Sequence, residues 1–384
     1  MQCPLRILRF ALILGLALAS TASIASAQEP PQAPEPESLE PTWMDRVNVG
    51  GFGVIWVTPL RYYHSDARDE LPYRIRFARF SISAEPDRGF SAKLQTALED
   101  SNPFLDMRLT WKSASHLNIT AGQFKFPLGA SLLTKAPDLV MWDRPSFVRQ
   151  ATKATLRDVG VMVHTGSGGI LYGILEYALG VFNGAGRIPS SLRDRRELGQ
   201  LLWAGRIVGN ADALVLPEKN RLALGLSYAR SVDPATSDEE AANYLGRRLV
   251  PYTAERTTQI MGADITFKAF DVWFQGEVLR LQSETTDPDP LTGQPAEVEW
   301  LGYSLEAGYT IEKISLQPVA RFDELMPTGD TGGLRTRTMA LGVNFMPSDA
   351  TMVSLFGINE VRTGDAREED IFDSRLLARF LMRF

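Results

Sequence analysis

Cysteine occurs once in the 384 residues, as Cys3. It lies in a secretory leader. Arg6 and Arg9 form the positive end, 10–19 is apolar but for Gly15, and Ala25-Ser26-Ala27 fits a small-residue cleavage site. The sequence predicts a signal peptide over 1–27 and a mature chain that starts at Gln28 without cysteine. That excludes disulfides, thiolate metal sites and cysteine nucleophiles. Histidine is scarce, with only His64, His116 and His164, and eight lysines stand against thirty-two arginines. Beyond the leader no stretch approaches the ~18 consecutive apolar residues of a membrane helix. Positive charge is not in excess either. Removing Arg6 and Arg9 takes the basic residues from 40 to 38 against 46 acidic ones, a net charge near −8. This is no nucleic-acid footprint. There is no metal-ligand spacing, phosphate-cradling glycine loop or G-x-S-x-G context. No cofactor, no metal and no catalytic residue is expected, and the chain reads as a non-enzyme.

Helical periodicity is almost absent, and a period of two takes its place. After a proline-rich tether over 28–45, alternating segments run through the chain. They fall at 46–58, 72–84, 90–100, 104–113, 117–126, 158–166, 170–182, 201–209, 221–230, 255–269, 270–281, 300–311, 315–323, 335–346, 351–361 and at the end of the chain. Leu105, Met107, Leu109 and Trp111 oppose Asp106, Arg108, Thr110 and Lys112. Leu301, Tyr303, Leu305 and Ala307 oppose Gly302, Ser304 and Glu306. A phase break near Ala78 predicts a bulge. Short links at 113–116, 166–169, 269–270, 311–314 and 347–350 alternate with long ones at 59–71, 127–157, 183–200, 231–254, 282–299, 324–334 and 362–373. Two links break the alternation: 101–103 is tiny, and 210–220 is long. An even number of strands with short turns on one side and long loops on the other predicts an all-β transmembrane antiparallel β-barrel of about sixteen strands. It would span 46–384, with both ends on the periplasmic side. Trp56, Trp111, Tyr177, Tyr228, Phe345 and Phe384 read as outward aromatics of the interfacial girdles.

The last ten residues give Phe384, Met382, Phe380, Ala378 and Leu376 on one face, and three arginines, Arg383, Arg379 and Arg375, on the other. This ending resembles the C-terminal signature of bacterial outer-membrane proteins. The resemblance implies that Phe384 is an assembly signal for the barrel-assembly machinery. It also implies a multi-pass barrel in the bacterial outer membrane, in contact with its lipid and lipopolysaccharide.

The charges point to a solute. The loop over 127–157 carries Lys135, Arg144, Arg149, Lys153 and Arg157 against Asp138 and Asp143. Lys93, Arg108, Lys112 and Lys125 come from inward phases of the strands beside it. A cationic ring at a constriction favours anions, and arginine's forked donors suit phosphate. The segment 122–128, Gly-Gln-Phe-Lys-Phe-Pro-Leu, resembles the G-Q-F-K-x-P-F/L segment of the phosphate-selective porin O and P family. In order along the chain, 74–79, 157–160 and 177–184 resemble that family's arginine-rich strand, its R-D-x-G and its Y-x-x-G-x-F-N-G segments. The resemblance implies a homotrimeric channel whose loop over 127–157 folds inward to narrow the pore, with small anions such as phosphate as solutes. Inward Glu99, Asp106, Glu176, Asp264, Glu277, Glu306 and Asp323 pull the other way. A porin for general, carboxylate or other solutes, an adhesin and a barrel enzyme stand as alternatives. His164 reads as a hydrogen-bonded lumen residue.

Overall fold

The computed structural model describes residues 46–384 apart from 65–71, 87–88, 101, 115, 153–156, 185, 188–199, 212–219, 234–254, 289–294, 329–333 and 365–370. The leader, the tether and Lys153 lie outside the described residues. Among the described residues sixteen strands are present. They are β1 Val47–His64, β2 Tyr73–Ala84, β3 Phe90–Ala97, β4 Phe104–Ala114, β5 Leu117–Phe124, β6 Asp158–His164, β7 Leu175–Phe182 and β8 Leu202–Asn210. The second half holds β9 Arg221–Asp233, β10 Arg256–Ala269, β11 Val272–Pro288, β12 Pro295–Tyr309, β13 Leu316–Thr328, β14 Arg335–Ser348, β15 Thr351–Thr363 and β16 Ile371–Arg383. Each pairs antiparallel with its sequence neighbours, and β16 pairs with β1, so the sheet closes as a barrel without an edge. The closing seam ends on Phe384. Its N–H donates to Gly51 O at 3.1 Å, and its carbonyl accepts from Gly51 N at 3.0 Å.

Side chains alternate about the wall. On β9, Ala223, Ser227, Ala229 and Ser231 are buried within, while Leu224, Leu226 and Tyr228 stand outside. Leu226 is 66% exposed and Leu341 71%. A water-facing surface of this kind would aggregate, whereas hydrocarbon solvates it. No helix of the described residues is long and apolar enough to cross a membrane.

The expected strand segments recur with three differences. Several strands run further on the long-loop side: β11 reaches Pro288 and β13 Thr328. The β11 extension over 282–287 is polar on both faces, and on β13 the adjacent Glu324 and Leu325 are both buried, so period-two alternation fades there while the hydrogen-bond ladder continues. The seventh strand starts at Leu175 rather than 170. Leu171 and Tyr172 adopt left-handed conformations in a small turn bridged by Ile170 and Leu175. The break in β2 is a register shift that leaves Arg76 as the extra residue, between Ile75 opposite Ile55 and Phe77 opposite Val54.

Trp56 does not belong to an outward girdle. It points inward, with the Arg76 guanidinium 5.0 Å from its ring, and packs with Phe52, Phe77, Met141 and Trp142. The inner wall is apolar there because an inserted segment, and not water, covers it.

Candidate functional site

That inserted segment runs between β5 and β6. Lys125 leaves the strand, Pro127 forbids its continuation, and Gly129 turns the chain inward at φ +65°. A Cβ on Gly129 would run into the Glu277 carboxylate on the far wall. A short helix, α1, follows over Ala130–Leu133, then a 3₁₀ turn over Ala136–Asp138 and a second helix, α2, over Ser146–Thr152.

The loop crosses the lumen and is fixed at several points of the wall. Gly129 N donates to Ser227 Oγ of β9 at 3.1 Å. On β11, Glu277 Oε2 accepts from Ser131 N at 3.0 Å, and Gln275 Nε2 donates to Ser131 Oγ at 2.8 Å. Asp143 pairs with Arg76 of β2 at 2.7 Å, and its carbonyl accepts from Arg321 of β13 at 2.5 Å. Ser146 donates its N–H to Asp323 at 3.0 Å, and its hydroxyl bonds the same carboxylate. The Phe147 side chain fills the space left by Gly302 on β12. Leu128, Leu132, Phe147 and Val148 join inward Phe182, Leu202, Ile260, Leu281 and Trp300 in an apolar core inside the barrel. Burial of that surface at roughly 25 cal/mol per Å² is the main force holding the loop in.

Most acidic lumen residues therefore have partners. Asp264 pairs with Arg206 at 2.5 Å, Glu306 with Arg321 at 2.7 Å, Asp106 with Arg157 at 2.5 Å and Glu99 with Arg79 at 3.2 Å. Asn210 Nδ2 donates to Glu176 Oε1 at 2.9 Å. Glu277 and Asp323 accept loop N–H groups, as above.

The expected basic residues divide by environment. Lys125 Nζ donates to the carbonyls of Leu132, Leu133 and Thr134 at 2.7–3.1 Å, which caps the end of α1. Burial, with Arg144 and Arg157 nearby, pushes its ammonium well below the usual lysine range. Arg144 is buried and donates to Ser131 O at 2.8 Å and Thr134 O at 2.5 Å. Arg157 holds Asp106 and donates to Gln95 at 3.2 Å. Lys112 sits at the short-turn end of β4 in an exposed pair with Glu85 at 3.0 Å. Arg149 lies on α2 near Asp143 and Asp323. Asp143 is buried, which favours its neutral form, yet Arg76 and Arg149 hold it far below the usual carboxylate range.

Lys93, Arg108 and Lys135 differ from these. Lys93 and Arg108 are direct cross-strand partners on the inner face of β3 and β4. Asp106, which is paired with Arg157, acts on Lys93 electrostatically, as do Arg108, Arg157 and Lys135, the last exposed on the loop. The side chains of Lys93, Arg108 and Lys135 make no hydrogen bond or ion pair among the described residues. Like charges placed directly opposite destabilise a sheet, so this arrangement is not explained by stability.

Arg76, Arg79, Arg206, Arg321 and Arg379 also face inward, beyond the nine basic positions expected at the site. The inward phase of Arg206, Arg321 and Arg379 follows the alternation of their strands, whereas Arg76 and Arg79, three residues apart, share a face only through the register shift in β2. The partners of all five were not legible in the sequence. Among the described residues no three His, Cys, Asp or Glu side chains come together as a metal site. His164 is a hydrogen-bonded wall residue: Nδ1 accepts from Gly166 N at 3.0 Å, and Nε2 lies 2.9 Å from Thr120 Oγ1.

No family model and no curated protein matches the sequence. Solved structures do match. An anion-selective porin from Comamonas acidovorans superposes with a TM-score of 0.61 at 11% identity, over 88% of this chain and 99% of its own. The fold is that of the outer-membrane porins. The outer membrane channel DcaP of Acinetobacter baumannii gives 0.61 at 11% identity, over 88% and 97%. The trimer form of OmpT, an outer membrane protein of Vibrio cholerae, gives 0.54 at 11%, over 87% and 98%. At these identities the likeness concerns architecture. The lumen side chains must carry any argument about selectivity.

Proposed function

We propose that this chain is an outer-membrane porin for passive diffusion of small solutes, that it prefers anions, and that phosphate-like oxyanions are its preferred occupants. The observation that carries this reading is the unengaged cation group formed by Lys93, Arg108 and Lys135. Each of the other inward charges described above lies beside a charge of opposite sign or is held in hydrogen bonds. Asp106, the acid beside them, is already paired with Arg157, so the local charge of the group is net positive although the whole chain is negative. A low-dielectric constriction focuses the local field, so these three groups outweigh distant charges. Arg108 offers forked donors to an oxyanion, and the two ammonium groups offer rotatable ones.

The likeness to porin folds supports a channel, and the Comamonas acidovorans porin is anion-selective. Placement in the outer membrane through the leader at 1–27, contact with lipopolysaccharide, insertion by the barrel-assembly machinery through Phe384 and assembly as a homotrimer belong to the same proposal. The test is block by phosphate. Added at millimolar concentration to one side of a planar bilayer, phosphate should reduce single-channel chloride current. Lys93→Gln and Arg108→Gln should each weaken the block. Undiminished current would leave a porin without phosphate preference.

A further inference from the structure

The last strand of the barrel also grips the loop. Arg379 on β16 is 1% exposed. Through Nη1 it donates to Leu139 O at 3.0 Å and Met141 O at 2.7 Å, and through Nη2 to Val140 O at 3.3 Å. Nη2 also reaches Asn344 Oδ1 at 3.2 Å and Ser354 Oγ at 3.0 Å, and the guanidinium lies 5.3 Å from the Phe356 ring. None of its hydrogen bonds goes to a carboxylate. One guanidinium therefore binds three consecutive carbonyls of a segment with no regular structure. Arg383 extends the grip, with Nη2 donating to Pro137 O at 2.5 Å and to Asp138 Oδ1 at 3.3 Å. From β14, Asn344 Nδ2 adds a bond to Val140 O at 3.0 Å. Lys125 shows that one ammonium can hold three carbonyls of a helix end, but the planar fork of Arg379 reaches its three carbonyls and also Asn344 and Ser354 on the wall, more partners than the three donors of an ammonium can serve.

Lys135 stands directly before this clamped run, at the start of the 3₁₀ turn over Ala136–Asp138. We propose that Arg379 and Arg383 are positioning residues of the pore: they fix 137–141 against the inner wall and so hold Lys135 opposite Lys93 and Arg108. The closing strand then has two roles. Pairing with β1 seals the barrel, and its inner arginines set the lumen's width and its cation group. Constriction and closure are completed by the same segment. This inference rests on the channel reading.

Arg379→Lys and Arg383→Lys separate position from charge, because both keep the charge and lose the fork. Barrels that assemble, judged by heat-modifiable migration, are measured in planar bilayers in two ways. Single-channel conductance should rise by about 1.5-fold or more, and the anion-to-cation permeability ratio should fall by about twofold or more, as the loop leaves the wall and Lys135 leaves the group. Lys135→Gln should lower the ratio with conductance nearly unchanged. Trypsin cleavage after Arg149 in detergent should speed up in both fork variants. If Arg379→Lys does not assemble, Arg383→Lys decides. Wild-type conductance, ratio and cleavage in an assembled fork variant would overturn the proposal. Absence of any current in the wild-type barrel, with cleavage still accelerated in the variants, would overturn the channel reading and leave the latch standing.

Discussion

Replacing Gly129 by alanine tests whether the loop is held by the far wall. Gly129 has φ +65°, and its missing Cβ leaves room for the Glu277 carboxylate. Alanine in that conformation costs about 1 kcal/mol. The new methyl also pushes Glu277 from Ser131 N, a 3.0 Å bond between buried groups. Leaving a buried acceptor and donor unmade costs ~1–3 kcal/mol. Together the docked loop should lose about 2–4 kcal/mol, a ~30- to 1000-fold rise in its open population at 1.4 kcal/mol per factor of ten. Limited trypsinolysis of the folded barrel reads this directly, because the Arg149–Gln150 bond is held within α2 in the docked state. Cleavage after Arg149 should accelerate by at least ~30-fold if cutting tracks the open population. Removing the obstructing carboxylate should restore part of the loss. Gly129→Ala with Glu277→Ala should therefore be less destabilising than the two single changes added. A wild-type cleavage rate in Gly129→Ala would refute the docking geometry.

Other predictions follow from the same arrangement. Leu305→Arg, on the lipid face, should cost ~2–4 kcal/mol in urea-driven folding into liposomes, and Thr266→Arg, which lines an open part of the lumen, far less; equal costs would mean the faces are misassigned. Lys125→Met should cost ~1–3 kcal/mol through the freed carbonyls of Leu132, Leu133 and Thr134, yet leave the sign of ion selectivity unchanged; a reversed sign would make Lys125 a pore cation. Asp143 has a folded pKa below its unfolded value, so its contribution is present above pH ~4 and is lost as the pH falls. Urea stability should drop between about pH 5 and 2, and Asp143→Asn should flatten that drop. Deleting Phe384 removes the paired rung with Gly51 and should slow assembly while leaving secretion intact; assembly at the normal rate would remove the terminal residue's role.

The barrel was legible because a period of two survives wherever one face meets lipid. β10 and β12 carry clean alternation, and the registers put Leu109 and Leu305 outside with Asp106 and Glu306 inside; on β4 a register shift at Leu105 buries that side chain, which the alternation had placed outward. The inserted loop was legible as a length and a run of charge, but not as a set of contacts. Arg379 meets Leu139 across 240 residues of sequence and Ser131 meets Glu277 across 146, separations at which no local pattern operates. Trp56 was placed outside because an aromatic near a strand end looks the same on either face. Only the apolar loop residues 139–142 make the inner side its home. The acidic lumen positions read as a counterweight to anion preference, whereas Arg206, Arg321 and the N–H groups of Ser131 and Ser146 engage several of them. The nine basic positions looked equivalent in sequence. In the fold, Lys125 and Arg144 hold carbonyls, Arg157 and Lys112 hold carboxylates, and Lys93, Arg108 and Lys135 are unengaged.

The central claim is that those three cations set the sign of the pore. Reversal potential measures that sign. With about a tenfold potassium chloride gradient across a planar bilayer, the purified wild-type barrel should reverse at the potential of an anion-selective channel. Lys93→Glu and Arg108→Glu should each move that potential toward zero, and together through it. Lys313→Glu, in the short turn between β12 and β13, should leave it where it is. A cation-selective reversal potential in the wild type, or one that Lys93→Glu with Arg108→Glu does not move, would contradict the account.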